Sequence, residues 1–238
     1  MIDILFEWND QTIRWYLDAG AYTGFFKELA LKILPYLAPD DTLLDAGCGL
    51  GRLDFELAPH VSEITAVDLN ERAIKKLKQD IESSGIRNIS AIREDVSDLK
   101  KSYDVILMSF FGYPDMQMLC KHCRRRIIRI VSAGTKSSLY PVRHRLNVKP
   151  TVPIVREELT EQGIEYKLEL FSLEFGQPLT SLTDAEKYVL KNAPEAAEEE
   201  ISEFLSENLT RTEREDFPYY LPYMKEVGIF IIDKEDFI

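Results

Sequence analysis

Apolar residues along the chain recur first at helical spacing and then in short runs. Between residues 10 and 38 they return every three or four positions, which predicts two short helices. Pro35 and Pro39 close the second of these helices. From residue 42 onward the short apolar runs are typical of parallel strands that are covered on both faces of a sheet. The pattern therefore changes from a helical N-terminal segment to a fold that contains a sheet.

Strands and helices are predicted to alternate over most of the chain. The predicted strands are residues 42–45, 63–69, 89–94, 103–110, 126–132, 166–175 and 227–233. The predicted helices between them are residues 52–58, 70–83, 115–123 and 152–162. Alternation of this kind indicates an α/β fold with a doubly wound, seven-stranded sheet.

A long segment separates the sixth and seventh predicted strands. It runs from residue 177 to residue 226 and contains two helical patterns, at 184–192 and 196–209. A connection of this length within a domain carries structure of its own. We therefore expect a single domain over residues 1–238, with residues 1–38 as an N-terminal helical lid and residues 177–226 as a helical cap.

The first predicted strand leads into a glycine-rich turn, D-A-G-C-G-L-G at residues 45–51. Its three glycines let the backbone turn tightly and approach a ligand, and its N–H groups favour a carboxylate or another anion. A dinucleotide-binding turn, G-x-G-x-x-G, would need a glycine where this chain has Arg52. Asp45 would repel a pyrophosphate, and it suits a ligand that has an ammonium group beside its carboxylate.

Acidic residues also follow the next two predicted strands. Asp68 ends the second strand, where a carboxylate can accept hydrogen bonds from two ribose hydroxyls. Asp95 follows the third strand, where it can accept from an exocyclic amine. Each of these acids alone is more often a helix cap or a turn residue. Their order and spacing favour sites for an amino acid, a ribose and an adenine.

These motifs resemble those of the class I S-adenosylmethionine-dependent methyltransferases. The resemblance rests on D-A-G-C-G-L-G at 45–51, V-D-L-N at 67–70, E-D-V at 94–96 and Y-D-V-I-L-M-S at 103–109. It covers roughly residues 25 to 135. It implies a Rossmann-like methyltransferase sheet, S-adenosylmethionine as the cofactor and methyl transfer as the activity.

The resemblance also implies which residues bind the cofactor. The glycine turn would hold the methionine part, Asp68 the ribose and Asp95 the adenine. Asp45 would help to hold the amino group through water or backbone, and Tyr22 would touch the methionine end. The complete expected set is Asp45, Gly47, Cys48, Gly49, Gly51, Asp68, Leu69, Asp95, Val96, Ser109 and Tyr22. In this set Leu69 and Val96 would flank the adenine ring, and Cys48 is a small loop residue without chemistry of its own.

The acceptor side of the reaction is less well defined by the sequence. Methyl transfer from a sulfonium requires a positioned acceptor and only sometimes a base. The catalytic residue is therefore left open, and His144 is the candidate for a proton acceptor. Phe111 and Tyr113 suit a flat or apolar substrate wall, although Phe111 is equally well explained as a core residue. The Asn-Pro-Pro-Tyr type of motif, frequent in enzymes that methylate nucleic-acid bases, is absent here.

Charge is distributed unevenly along the chain. The formal net charge is -12, yet residues 121–149 contain nine Lys or Arg and no Asp or Glu. Within this basic stretch, Arg143 and Arg145 are candidates for binding an anionic acceptor. Residues 181–217 contain eleven acids and four bases. We therefore favour the alternatives that the basic stretch pairs with this acidic segment or forms a plain solvated surface.

Composition excludes several other classes of protein. An apolar fraction of 45% and an aromatic fraction of 11% are those of a globular chain. Three cysteines cannot form a disulfide framework, and one C-x-x-C at 120–123 is weak support for zinc, so no metal is expected. No apolar run reaches the roughly 20 residues that span a bilayer, and the N-terminus lacks the basic start of a secretory signal. A cytoplasmic protein without membrane contact is expected.

Together these features predict methyl transfer from S-adenosylmethionine to a small-molecule acceptor. One alternative is a methyltransferase that acts on RNA or protein, with residues 121–149 as the docking patch. The acid excess argues against nucleic acid, because affinity for phosphates comes from Lys and Arg. Another alternative is a non-catalytic module that binds S-adenosylmethionine. The sequence predicts neither the acceptor nor the oligomeric state.

Overall fold

A computed structural model describes residues 7–112, 116–134, 139–144 and 150–237 of the chain. The chain divides into two compact units. The insert unit comprises Met1–Phe25, Thr135–Val148 and Ser172–Glu226, and the sheet unit comprises Phe26–Gly134, Lys149–Phe171 and Val227–Ile238.

A seven-stranded mixed sheet is the largest element of the fold. Its strands are β1 (Thr42–Ala46), β2 (Glu63–Asp68), β3 (Ile89–Arg93), β4 (Tyr103–Ser109), β5 (Cys123–Ser132), β6 (Lys167–Glu174) and β10 (Met224–Asp233). They lie in the order β3-β2-β1-β4-β5-β10-β6. Strands β1 to β5 pair in parallel, whereas β10 is antiparallel to β5. The predicted α/β fold with a seven-stranded sheet is confirmed.

Eight α-helices connect and flank the strands in the described residues. They are α1 (Asp10–Thr23), α2 (Phe25–Ile33), α3 (Arg52–Leu57), α4 (Glu71–Ser84), α5 (Met116–His122), α6 (Val152–Glu161), α7 (Leu182–Asn192) and α8 (Glu198–Asn208). Polar side chains cap several N-termini, because the first backbone N–H groups of a helix have no partner within it. Asn70 accepts from two backbone N–H groups at the start of α4, and Ser181 accepts from one at the start of α7. No helix of the described residues has the length and apolarity needed to cross a bilayer.

The core of the sheet unit follows from its central strands. Leu44, Ile106 and Ile127 lie on β1, β4 and β5 and are fully buried. Because helices cover both faces of a doubly wound sheet, its central strands are apolar on both sides. The edge strand β3 instead alternates at its start between buried and exposed residues. These differences explain why the central strands appear in the sequence as unbroken apolar runs.

The insert unit has a small sheet of its own, which the sequence patterns did not predict. Strands β7 (Gln177–Leu179), β8 (Thr210–Arg211) and β9 (Tyr219–Leu221) pair antiparallel in the order β7-β9-β8. Strands of two or three residues are too short to show an alternating pattern. Helices α7 and α8 confirm the two helical patterns of the segment, while its role as a cap, and that of residues 1–38 as a lid, stay predictions.

A buried ion pair joins β5 to α6 within the sheet unit. The Arg129 side chain is 2% exposed, and its guanidinium donates to Glu158 at 3.0 Å. A charge this deeply buried requires a partner of opposite sign, since transfer of an unpaired ion out of water costs several kcal/mol. Helix α6, which packs on β5, must therefore place an acid at position 158 beside Arg129.

We expect Glu158→Ala to lower the free energy of unfolding by about 2 to 3 kcal/mol, because it leaves the Arg129 charge buried and unpaired. Urea denaturation measures the effect. The control is Glu71→Ala, which breaks the exposed Arg93–Glu71 pair of 3.2 Å and should cost less than about 1 kcal/mol. Equal losses in both variants would show that burial does not make the Arg129 pair special.

Candidate functional site

Four parallel strands bring the predicted cofactor-binding segments together at the carboxyl ends of the strands, along one edge of the sheet. The register pairs Ala46 with Val67, Asp68 with Arg93, and Asp45 with Leu107. The carboxyl ends of β1, β2, β3 and β4 therefore face the same way. This edge is where ligands bind in open α/β sheets.

The glycine turn after β1 is held by backbone hydrogen bonds to β2. The N–H groups of Gly47 and Cys48 both donate to the carbonyl of Val67, at 2.8 and 3.0 Å. Gly47, Gly49 and Gly51 have φ of 73°, 55° and 61°. These are left-handed conformations, which glycine adopts without the steric penalty of a Cβ.

Side chains of the protein itself approach the backbone closely at Gly47 and Gly51. A Cβ on Gly47 would lie 2.2 Å from Cδ2 of Phe111. A Cβ on Gly51 would lie 2.6 Å from Leu77 and 2.9 Å from an Asp54 oxygen. The sequence predicts that these glycines make room for a ligand. At these two positions packing inside the sheet unit is itself a sufficient reason for glycine.

A strained residue places Phe111 over the turn. Phe110 follows the end of β4 with φ of 53°, the one non-glycine residue in the described part of the chain with positive φ. Its N–H donates to the Ile130 carbonyl at 2.9 Å, which holds the chain in this conformation. A left-handed backbone conformation costs energy in a residue with a large side chain, and such residues are frequent at functional sites. The expected Ser109 ends β4 just before it, and the expected Tyr113 lies outside the described residues.

Asp68 links the turn to the start of α4. Its carboxylate accepts the Gly49 N–H at 2.9 Å and the Asn70 N–H at 2.7 Å. Because each carboxylate oxygen has two lone pairs, both can accept further hydrogen bonds. The expected contact with ribose hydroxyls is compatible with this geometry and stays a prediction.

The predicted adenine-binding residues differ in exposure. Leu69 is 46% exposed, although it is a large apolar residue, whereas Val96 is buried. Asp95 accepts from the Ser97 N–H at 2.8 Å and from the Ser97 hydroxyl at 2.7 Å, and these bonds lower the pKa of its carboxyl. Asp95 thus caps a short 3-10 turn, Val96–Asp98, which is the alternative role of an acid at this position. Its contact with adenine stays a prediction.

Two acids are buried beneath the glycine turn. Asp45 is 2% exposed and Asp54 is 0% exposed. The pKa of Asp45 is raised to about 7, chiefly by burial; a hydrogen bond from Asp54 lowers it, and the Asp68 charge adds to the rise. Burial also raises the pKa of Asp54 well above its usual range. Sequence analysis did not single out Asp54, although it lies three positions before the buried Leu57 and so shares a face of α3 with it.

Tyr22 belongs to the insert unit and lies in a cluster of aromatic rings. It stacks on Tyr220 with ring centroids 4.9 Å apart, and Phe217 meets its ring edge-on at 6.0 Å. The Arg214 guanidinium lies 4.9 Å from its ring centroid. These contacts explain Tyr22 by packing, and its predicted contact with the methionine end of a cofactor is untested.

Arg143 and His144 meet an acid of the insert unit. Arg143 forms an ion pair with Glu200, and His144 Nε2 lies 2.9 Å from a Glu200 oxygen. The Glu200 pKa is lowered chiefly by its hydrogen bond with Arg143. This is the pairing with the acidic segment that we favoured for the basic stretch. Arg145 lies outside the described residues.

The arginines on β5 pair with acids outside the acidic segment. Arg124 donates to Asp104 at 2.8 Å, and Arg126 donates to Asp233 at 2.6 Å. Arg125 pairs with the buried Asp41. These arginines lie at the start of β5. Because β5 runs parallel to β4, they are at the amino ends of the parallel strands, whereas the glycine turn is at the carboxyl ends. The pairing predicted with residues 181–217 therefore holds for Arg143 but not for these three arginines.

The two cysteines of the C-x-x-C segment pack in the interior of the protein. Cys120 and Cys123 are buried free thiols, and burial raises the Cys123 pKa to about 11. The Lys234 ammonium lies 3.1 Å from the Cys120 sulfur. Across the described residues no group of three or more His, Cys, Asp or Glu is placed to hold a metal ion.

Comparison with known proteins finds sequences that are named as methyltransferases. Residues 43–128 match the family model described as a methyltransferase domain. The probable cobalt-precorrin-6B C(15)-methyltransferase (decarboxylating) of Methanobrevibacter smithii is 32% identical over 93 residues, covering 37% of this chain and 50% of the relative. Ribosomal RNA small subunit methyltransferase A of Natranaerobius thermophilus is 32% identical over 85 residues, covering 36% and 27%. The chain thus spans half or less of these two relatives.

Solved structures show the same fold. The BH2331 protein of Bacillus halodurans C-125 superposes with a TM-score of 0.54 at 13% identity, covering 87% of this chain and 98% of the other. The YcgJ protein of Bacillus subtilis gives a TM-score of 0.52 at 13% identity, covering 86% and 97%. At this identity the likeness concerns the fold alone.

We expect Gly47→Ala to destabilise the protein more than Gly85→Ala. Both glycines have left-handed φ, which costs an alanine about 1 to 2 kcal/mol. A Cβ at position 85 meets nothing within 4 Å, whereas at position 47 it meets Phe111 and should cost about 1 to 3 kcal/mol more. Urea unfolding of both variants measures the difference.

A double variant, Gly47→Ala with Phe111→Ala, tests the cause of this difference. It should recover part of the extra loss as a coupling energy between the two sites. If Gly47→Ala and Gly85→Ala cost the same, Phe111 does not pack on the turn in solution.

Proposed function

We propose that the chain transfers a methyl group from S-adenosylmethionine to a small-molecule acceptor, since residues 43–128 match a methyltransferase domain, in line with the class I, S-adenosylmethionine-dependent family that the sequence motifs predict. The observation that carries the proposal is the convergence of Asp45, the glycine turn and Asp68 at one sheet edge. The residues present suit this cofactor, because the edge combines buried carboxyl groups with an exposed apolar side chain.

The proposed cofactor contacts follow from the chemistry of each residue. Asp68 would accept hydrogen bonds from the ribose hydroxyls with lone pairs that its backbone contacts leave over. Leu69 would offer its exposed side chain to the adenine ring, and Asp95 would accept from the adenine amine. Asp45 would attract the ammonium group of the methionine part.

The chain's own contribution to the reaction would be positioning. S-adenosylmethionine, when bound, supplies a methyl group that its sulfonium already activates. The ring of Phe111 lies against the turn at Gly47 and would offer an apolar surface to an acceptor. An apolar surface there can orient an acceptor and exclude water, and positioning of this kind can lower a reaction barrier by several kcal/mol.

A small-molecule acceptor fits the charges better than RNA does. Binding to a phosphate backbone relies on Lys and Arg that release counterions. The three arginines at the start of β5 are each paired with an acid and lie at the edge opposite the turn. One relative is named for a precorrin substrate and the other for ribosomal RNA, so RNA is the alternative acceptor. We also propose a cytoplasmic location, because three free cysteines suit a reducing compartment.

We expect S-adenosylmethionine and its demethylated product, S-adenosylhomocysteine, to raise the melting temperature of the protein, since each would bind only the folded state. Asp68→Asn should weaken binding of S-adenosylhomocysteine about tenfold, because the amide keeps one acceptor oxygen and loses the charge. Glu82→Gln, an exposed acid on α4, is the control and should bind like the wild type. Absence of any thermal shift with both compounds would contradict the proposed cofactor.

The acceptor class is tested by incubating the protein with methyl-labelled S-adenosylmethionine and either a metabolite extract or total RNA. We expect label in the small-molecule fraction and none in RNA above a no-enzyme control. Label in RNA, with binding that weakens steeply as salt rises, would establish the alternative acceptor. Cofactor binding without transfer to either pool would indicate a non-catalytic module.

A further inference from the structure

The buried acid Asp54 has no role in the function proposed so far. It lies in the first turn of α3, and Asp45 is the last residue but one of β1. Their carboxyl groups lie within hydrogen-bonding reach of each other. Asp45 Oδ1 and both oxygens of Asp54 accept no hydrogen bond from the residues that the structure describes. Three buried acceptor atoms therefore lack a donor if both groups are ionised.

The surroundings do not favour two negative charges. The nearby Asp68 adds repulsion, and Arg52, the cation that follows the turn, lies 3.7 Å from Asp80 and forms an ion pair with it. Two adjacent buried carboxylates cannot both ionise without a large cost, so such pairs hold a proton between them. A protonated carboxyl is also a donor, and it can supply the hydrogen bond that the pair otherwise lacks.

Of the two acids, Asp54 is the one that retains the shared proton. Asp54 is completely buried, and the repulsion and hydrogen bonding of Asp45 add to the effect of burial in raising its pKa. Asp45 ionises first, because the hydrogen bond from Asp54 favours its charged form. The order of ionisation therefore makes Asp54 the donor and Asp45 the acceptor.

We propose that Asp54 is a positioning residue: it keeps its proton at neutral pH and donates it to Asp45, so that Asp45 carries the negative charge that attracts the ammonium group of the cofactor. The inference rests on the proposed function. It assigns a role to a side chain that would not itself touch the cofactor.

The arrangement couples cofactor binding to pH. A cationic ammonium favours the ionised form of Asp45, whose pKa lies near 7 in the free protein. Affinity should therefore rise as pH increases through this range, and binding near pH 7 should release protons. Among the described residues, the other titratable groups that face the pair are Asp68 and the Cys48 thiol; burial, together with the three acids, raises the pKa of this thiol well above its usual range. The thiol stays protonated and does not contribute to the profile.

Isothermal titration with S-adenosylhomocysteine from pH 5.5 to 8.5 tests the role of Asp54. The wild type should bind progressively more tightly up to about pH 7 and then level off, with at most about a tenfold gain per pH unit. Asp54→Leu removes the donor and should weaken binding about tenfold at pH 7 and move the midpoint upward by about one pH unit. Asp54→Asn keeps a donor and should restore most of the affinity and the wild-type midpoint.

A merely structural role for Asp54 would give a different result. It would lower the melting temperature of Asp54→Leu without moving the pH midpoint of binding. An unchanged midpoint in Asp54→Leu, or binding by Asp54→Asn as weak as that by Asp54→Leu, would overturn the proposal.

Infrared spectroscopy of the protein without ligand tests the proton itself. With ¹³C-labelled aspartate, the C=O band of a protonated carboxyl should persist at pH 8.5, where an ordinary aspartate is ionised, and should be lost in Asp54→Asn. Absence of the band in the wild type would overturn the proposal even where Asp54→Leu fails to fold. If the band is present but S-adenosylhomocysteine does not bind, the proposed function fails and the buried acid pair stands.

Discussion

The candidate site depends on the hydrogen bonds that tie the glycine turn to the end of β2. The Val67 carbonyl accepts two consecutive N–H groups of the turn, and the Asp68 carboxylate accepts a third, from Gly49. The turn that makes these bonds contains three left-handed residues within five positions, which residues with a Cβ would adopt only with strain. The hydrogen bonds also require β1 and β2 to be adjacent and parallel, so that the turn and Asp68 meet at the same end of the sheet.

The sheet unit buries charge in two chemically different ways. Arg129 is neutralised by Glu158, a partner of opposite sign supplied by a covering helix. Asp45 and Asp54 have the same sign, and only a retained proton makes their contact favourable. The ion pair stabilises the position of α6, whereas the acid pair lies beneath the turn and suits a site that must attract a cation.

Charge pairing also changes the meaning of the basic stretch. In the sequence, nine cations within 29 residues suggest a surface for an anionic partner. In the structure Arg124, Arg125 and Arg126 each pair with an acid that is distant along the chain, and Arg143 pairs with Glu200. For these four cations the local excess of charge in the sequence is offset by acids from other segments, because folding places distant segments side by side.

The sequence by itself determined the fold class, the glycine turn and the order of the acids at the strand ends. These features are local: buried parallel strands require apolar runs, and left-handed turns favour glycine, so both are visible in consecutive residues. Only the tertiary structure decided that Phe111 packs on Gly47, that Asp54 meets Asp45, and that short strands of the insert unit form a sheet. Contacts of this kind join residues from separate elements. Their energy depends on distance and burial in the folded chain, which no periodicity along the sequence records.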